Sequence, residues 1–295
     1  GTISDIGIIA EFIIYVNMLT WPVASIGWIS SIIQQAEASQ KRINEFLKQR
    51  SEITNFNPNN TSNILGEITF NNVNYKYRET GIAASNNISF SIKSIDKLGI
   101  TGSTGSGKST LMNLLCRLYD VDDGEILIDN IPIKEINLNS LRKQIGYVPQ
   151  DTFLFSDTIM NNVKFGIENA TKDEVIKACK TAAIHNEISN FEKGYDTILG
   201  ERGINLSGGQ KQRISIARAL IKKPKILILD DCLSAMDTQT EELILKSLDS
   251  YTKNISTIII SHRISSIKNA NNIIVLENGG IIQSGTHNQL ISQNG

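Results

Sequence analysis

The eight residues Gly102, Ser103, Thr104, Gly105, Ser106, Gly107, Lys108 and Ser109 constrain this chain more than any other stretch. They fit the pattern Gly-x4-Gly-Lys-Ser/Thr, and both flanks agree with it. Residues 97–101 read as a short buried strand. Thr110 and the recurrence of Leu111, Leu114, Leu115 and Leu118 read as a helix. Strand, glycine turn and helix are the setting a phosphate-binding loop requires. The glycines let the backbone wrap closely around a polyphosphate, where a Cβ would collide. The freed N–H groups and the helix N-terminus then point at the anion. Lys108 is placed to reach the β- and γ-phosphates, and the Ser109 hydroxyl to ligate Mg²⁺. A chain built around this loop binds a nucleoside triphosphate.

With 295 residues the chain has room for one large domain or a domain with an attachment. Lys plus Arg (29) nearly balance Asp plus Glu (30), so bulk charge gives no support for nucleic-acid binding. Cys116, Cys179 and Cys232 are odd in number and far apart, which suggests neither a disulfide framework nor a zinc site. Reduced, buried thiols in a cytosolic domain are expected. The chain starts at Gly1 without an initiator Met or a signal-peptide pattern, so its start reads as cut.

From Phe12 to Ile33 run 22 residues without a charge. As a helix this is roughly 33 Å, enough to cross a hydrocarbon core of about 30 Å. Asn17, Thr20, Ser25, Ser30 and Ser31 make it more polar than a lone lipid-facing span. A membrane helix packed among others, or lining a cavity, fits better. A core helix of a soluble protein is the alternative. Pro22 is expected to kink it. Lys41, Arg42, Lys48 and Arg50 place its C-terminal end on the cytoplasmic side. A charged helix continues to Arg50, and the Asn-rich stretch that follows, with Pro58, reads as a linker.

Beyond Gly66 the pattern changes. Ile68, Phe70, Val73, Tyr75 and Tyr77 mark one alternating strand, and Ile88, Phe90 and Ile92 another. Residues 125–129 and 145–148 are strand-like, and 171–192 are helical in pattern. The apolar runs at 225–230, 257–261 and 273–276 suit strands of a parallel sheet covered on both faces. The expected fold class is α/β: a phosphate-loop core, an antiparallel β attachment before it, and a helical insert at about 150–200.

Two further motifs carry chemistry. Residues 226–230 are four apolar residues ending in Asp230, the carboxylate that holds Mg²⁺ in a phosphate-loop fold. Leu206, Ser207, Gly208, Gly209 and Gln210 precede a helix bearing Ile214, Ile216, Ala217 and Leu220. A serine and two glycines at a helix N-terminus make either a second anion site or an ordinary cap on Ser207.

Together these motifs resemble the ATP-binding cassette (ABC) transporters, of the exporter type in which a membrane domain precedes the cassette. The resemblance runs from residue 12 to the end. Residues 206–210 match the family's LSGGQ signature, and 198–203 a segment characteristic of exporters. Gln150 falls in the Q-loop, which implies contact with Mg²⁺ or the attacking water. Residues 234–237 are similar to the D-loop, and His262 to the switch histidine. Tyr77 falls where the family stacks an aromatic ring on adenine, with Tyr75 as its rival. Residues 153–159 sit where the family's cassette meets the membrane helices. On this resemblance, residues 1–53 are the last membrane helix and its cytoplasmic extension, 54–65 the linker and 66–295 the cassette. A short closing helix is expected after Gly295, and the other membrane helices and the substrate path lie outside the chain.

The resemblance also implies that two cassettes face each other head to tail in a multi-pass protein of the cell membrane, with the cassettes on the cytoplasmic side. ATP would lie between the Lys108 loop of one and Ser207, Gly208 and Gly209 of another. One position departs from the family. The residue after the Mg²⁺ aspartate is usually a glutamate that polarises water, and here it is Asp231. One methylene fewer retracts the carboxylate by roughly 1.5 Å, and about 1 Å of misplacement can cost on the order of 100-fold in rate. ATP binding at this site is expected to be intact and hydrolysis slow, as in one half of heterodimeric exporters. A homodimer stays open, and His262 speaks for a site still in use. The alternatives are a regulatory ATP-binding clamp without useful turnover and a soluble cassette ATPase. The transported substrate is not legible in these residues.

Overall fold

The computed structural model describes residues 3–293 apart from 56, 62 and 168; the helix expected after Gly295 lies outside them. The chain divides into two units, 1–52 and 53–295. The first is one helix, α1 (Ile3–Lys48), which runs through Pro22 without interruption and joins the apolar span to its charged continuation. It is long and apolar enough to cross a membrane, and Trp21, Trp28 and Ile26 are among its many exposed apolar side chains. Thr20 and Ser25 turn their hydroxyls back onto the carbonyls of Val16 and Pro22, at 3.0 and 2.8 Å. That satisfies two of the polar groups within the apolar span.

The second unit is the expected α/β structure with two sheets. β1 (Ile68–Lys76), β2 (Ala83–Ile92), β4 (Asp123–Ile128) and β5 (Ile131–Pro132) form an antiparallel sheet in the order β2-β1-β4-β5. The second sheet has the order β10-β9-β3-β8-β7-β6, built from β3 (Lys97–Gly102), β6 (Ile145–Val148), β7 (Ile226–Asp230), β8 (Ser256–Ile260), β9 (Asn272–Glu277) and β10 (Gly280–Gly285). Its pairs from β9 through β6 are parallel, and only β10 runs antiparallel to its neighbour.

Alternation explains the apolar runs. On β7, Ile226 and Ile228 face a core shared with the antiparallel sheet. Leu227 and Leu229 face a second core under the helices. A strand buried on both faces has no polar position, so it reads as a continuous hydrophobic run. On β1 the buried set shifts from Ile68 and Phe70 to Val73 and Tyr75, a three-residue step. The pairing with β2 is irregular there, and Asn72 takes φ 48°, as a β-bulge requires.

After α3 (Leu138–Gln144), the helical insert contains α4 (Ile159–Lys164), α5 (Lys172–Thr181) and α6 (His185–Ser189). The helical pattern of 171–192 is broken between α5 and α6, where Ala183 sits at φ 53°. The helix after the phosphate loop, α2 (Lys108–Leu115), stops before Leu118, which is 45% exposed. Arg117 turns to φ 50° and buries its guanidinium against Asp120 and the Thr54 carbonyl. The Asn-rich stretch expected as a linker is bonded along the cassette. The Pro58 carbonyl accepts from Asn137, Asn60 donates to the Glu135 carbonyl, and Ile64 is buried.

Candidate active site

Four chain segments leave the carboxyl ends of parallel strands side by side, where open α/β sheets bind ligands. The phosphate loop follows β3, Gln150 lies two residues past β6, Asp230 closes β7, and His262 lies two residues past β8. The loop must carry glycine at two points. A Cβ on Gly102 (φ 150°) would lie 2.1 Å from the Leu276 carbonyl oxygen, and one on Gly107 (φ 97°) 2.1 Å from that of Ala84. Lys108 opens α2 and folds back over the loop. Its ammonium donates to the carbonyls of Gly102 (2.9 Å) and Ser103 (2.7 Å), with Ser106 Oγ at 3.4 Å. Burial lowers its pKa, against the charges of Asp231 and Asp230, which raise it.

Around the loop lies a cleft of about 330 Å³. Thr104, Gly105, Ser106, Gly107, Lys108, Ser109 and Thr110 line it, together with Tyr77, Gln150, Asp230, Asp231 and His262. Gly102 and Ser103 contribute carbonyls for Lys108 rather than walls. Of the two tyrosines, Tyr77 borders the cleft and shares a hydrogen bond with Thr110 Oγ1 at 2.9 Å, whereas Tyr75 is 8% exposed and packs edge-on beneath it. Tyr119, which drew no attention in the sequence, completes the aromatic cluster.

Asp230 is 2% exposed. Burial raises its pKa, countered by hydrogen bonds from Ser109 and Tyr147 and by the Lys108 charge. Tyr147 Oη donates to Asp230 Oδ2 at 3.2 Å. Burial and the Asp230 charge push the pKa of that hydroxyl up. Tyr147 was legible only as a neighbour of Gln150, because nothing in a single sequence says that β6 lies beside β7. Asp231 takes φ 45°, its Oδ2 accepts from Gln150 Nε2 at 3.3 Å, and its carbonyl accepts from Ser234 Oγ.

The signature stands outside this cleft. Ser207 caps α7 (Gly208–Leu220) in a reciprocal box: its Oγ accepts from Gln210 N and its N donates to Gln210 Oε1. Gln210 Nε2 donates to Glu187, which also pairs with Arg213. Gln210 is therefore engaged within the chain, while Ser207 and Gly208 are exposed. The cap and the anion site are compatible, since the cap uses only Ser207 and Gln210.

Among the described residues no group of three or more His, Cys, Asp or Glu forms a metal cage. The donor set at the cleft is instead the hydroxyl of Ser109, the carboxylate of Asp230 and the amide of Gln150. This fits Mg²⁺, which is usually held by one or two carboxylates together with substrate phosphates and water.

A phosphate loop at the end of β3, an acidic pair at the end of β7 and a separate serine–glycine helix start define a nucleotide-binding cassette. Residues 85–234 match the family model described as ABC transporter. The chain belongs to the ABC transporter family, whose cassettes are ATPases coupled to transport. It is 44% identical over 294 residues to the uncharacterized ABC transporter ATP-binding protein YfiB of Bacillus subtilis, covering 98% of this chain and 50% of that one. With the multidrug resistance-like ATP-binding protein MdlA of Escherichia coli it shares 40% over 290 residues, covering 98% and 49%. Among solved structures, a bacterial Atm1-family ABC exporter with ATP bound superposes with a TM-score of 0.83 at 37% identity, over 95% of this chain and 50% of that one. The chain spans about half the length of the curated relatives it matches.

Proposed function

We propose that this chain is the cassette half of a membrane exporter, that it clamps Mg-ATP against a second cassette, and that its own site hydrolyses slowly. The observation that carries this reading is the division of the site. The cleft gathers residues 104–110 with Gln150, Asp230, Asp231 and His262, and leaves Ser207 and Gly208 exposed to solvent and Gly209 half-buried beside them, all outside its lining. Two half-sites on one chain call for a second cassette, placed head to tail. The relatives named above, and the apolar length of α1, support a place in the cell membrane with the cassette on the cytoplasmic side.

In this reading Lys108 turns from the carbonyls of Gly102 and Ser103 to the β- and γ-phosphate oxygens of ATP. The N–H groups at the start of α2 face the same oxygens. Tyr77 stacks on adenine. Ser109, Asp230 and Gln150 would hold Mg²⁺, which would supply charge neutralisation at the phosphates. Asp231 orients the attacking water, and His262 stands at the γ-phosphate side. Ser207, Gly208 and Gly209 close over the ATP of the partner subunit, and hydrolysis releases the clamp.

Asp231 reaches about 1.5 Å less far than glutamate would, which favours a heterodimer of one slow and one competent site. In the purified intact complex, Asp231→Glu is expected to raise ATP turnover by about ten- to a hundredfold. An unchanged or lower rate sinks the slow-site reading. The same residue favours a second reading, a regulatory clamp without useful turnover. Measurable single-turnover hydrolysis at this chain's own site excludes it.

A further inference from the structure

To hold Mg²⁺ in the proposed mechanism, the Asp230 carboxylate has to be fixed in orientation. A carboxylate turns about a broad, roughly two-fold terminal torsion, so a metal-facing carboxylate needs partners to hold its plane. Lys108 does not supply one in this structure, because its ammonium is spent on the loop. Ser109 bonds Asp230 but is itself a proposed ligand. The remaining partner is Tyr147. It pairs across the parallel β6–β7 ladder with Ile228, two residues before Asp230. The ladder fixes its backbone, its ring packs against the core shared with the antiparallel sheet, and its hydroxyl reaches Asp230 Oδ2 at 3.2 Å.

Tyr147 also has a second environment. It borders a groove of about 570 Å³ that shares no lining residue with the nucleotide cleft. Arg142, Lys143, Arg218 and Lys222 border that groove, and among the described residues no acidic side chain does. One rigid ring thus stands between a basic groove and a buried aspartate.

We propose that Tyr147 is a positioning residue for Mg²⁺: by donating to Oδ2 it holds the Asp230 carboxylate in the plane that the metal bound with ATP requires. This rests on the reading of Asp230 as the metal-holding carboxylate. Partners that orient metal-binding carboxylates change metal affinity out of proportion to their own hydrogen bond, because they fix geometry as well as charge. Tyr147 does not itself line the nucleotide cleft and reaches it through Asp230, so its effect should appear in the metal's share of binding.

The test uses the intact transporter with its partner subunit. Photolabelling by 8-azido-ATP, resolved by subunit, reports nucleotide held by this chain. Labelling is followed against Mg²⁺ concentration, and once in excess EDTA, for wild type, Tyr147→Phe and Asp230→Asn. Tyr147→Phe keeps the ring and removes only the hydroxyl. The expected result is a Mg²⁺ midpoint raised by about tenfold in Tyr147→Phe, with labelling in EDTA unchanged and with Asp230→Asn shifted at least as far. A Tyr147→Phe midpoint within twofold of wild type, with Asp230→Asn shifted, overturns the inference and leaves the role of Asp230 standing. No shift in either variant overturns both. Labelling lost in EDTA as well would make the hydroxyl a part of the fold of the cleft and also overturns the inference.

Discussion

Tyr75 lies on β1 and Tyr77 two residues on, just past the strand's end, and period-two alternation cannot choose between them. Burial does. Tyr75 is sealed under Tyr77 and Tyr119, and only Tyr77 reaches the cleft. If Tyr77 is the adenine platform, Tyr77→Ala should weaken ATP binding by about tenfold, since stacking on one base is worth about 1–3 kcal/mol. Tyr77→Trp should bind as wild type. Tyr75→Ala should instead lower stability by about 3 kcal/mol with little change in affinity. Fluorescent nucleotide titration and thermal melts separate the two, and the reverse pattern would make Tyr75 the platform. Glycine and lysine types at fixed spacing were legible in the sequence because backbone sterics and phosphate charge admit few alternatives. The Tyr147–Asp230 bond was not, because it depends on which strands are neighbours.

At the scale of elements, strands buried on both faces were the most legible. The runs at 225–230, 257–261 and 273–276 appear as β7, β8 and β9 with ends shifted by one residue. The end of α2 was not, since its leucine period continues to Leu118 while Arg117 turns the chain out of the helix. Nor was the latch between α8 (Thr238–Tyr251) and α9 (Ile264–Ile267). Arg263, beside His262, donates to the carbonyls of Ser234 and Met236 and pairs with Glu241 Oε2 at 2.6 Å. Ser265 and Ser266 donate to the other Glu241 oxygen.

Glu241 is 2% exposed. Burial pushes its pKa up, but the hydrogen bonds from Ser266, Arg263 and Ser265 outweigh it, and the net shift is below the usual 4.5. A depressed folded value means the latch stabilises fully above the unfolded pKa and is lost as pH falls through the folded one. Glu241→Gln should therefore lower the melting midpoint at pH 7, by the equivalent of about 1–2 kcal/mol. The gap from wild type should close as pH drops below about 4. A gap that is constant from pH 7 to pH 3 would show that the charge of Glu241 contributes nothing.

On the scale of the whole molecule, the proposed function gives the chain one half of each of two nucleotide sites. The phosphate loop lines a cleft from which the residues of the signature are absent. The central claim is that Gly208 serves a nucleotide held by another chain, and the geometry at Gly208 allows a direct test. A Cβ there would meet only Ala235 Cβ at 3.5 Å, an ordinary contact, so a side chain can be added without disturbing α7. Gly208→Asp places a negative charge where the partner's γ-phosphate is expected. In the intact complex, subunit-resolved 8-azido-ATP labelling of this chain should be unchanged, while steady-state hydrolysis falls by about a hundredfold. Labelling of this chain abolished with turnover intact would place the signature at its own nucleotide and contradict the account.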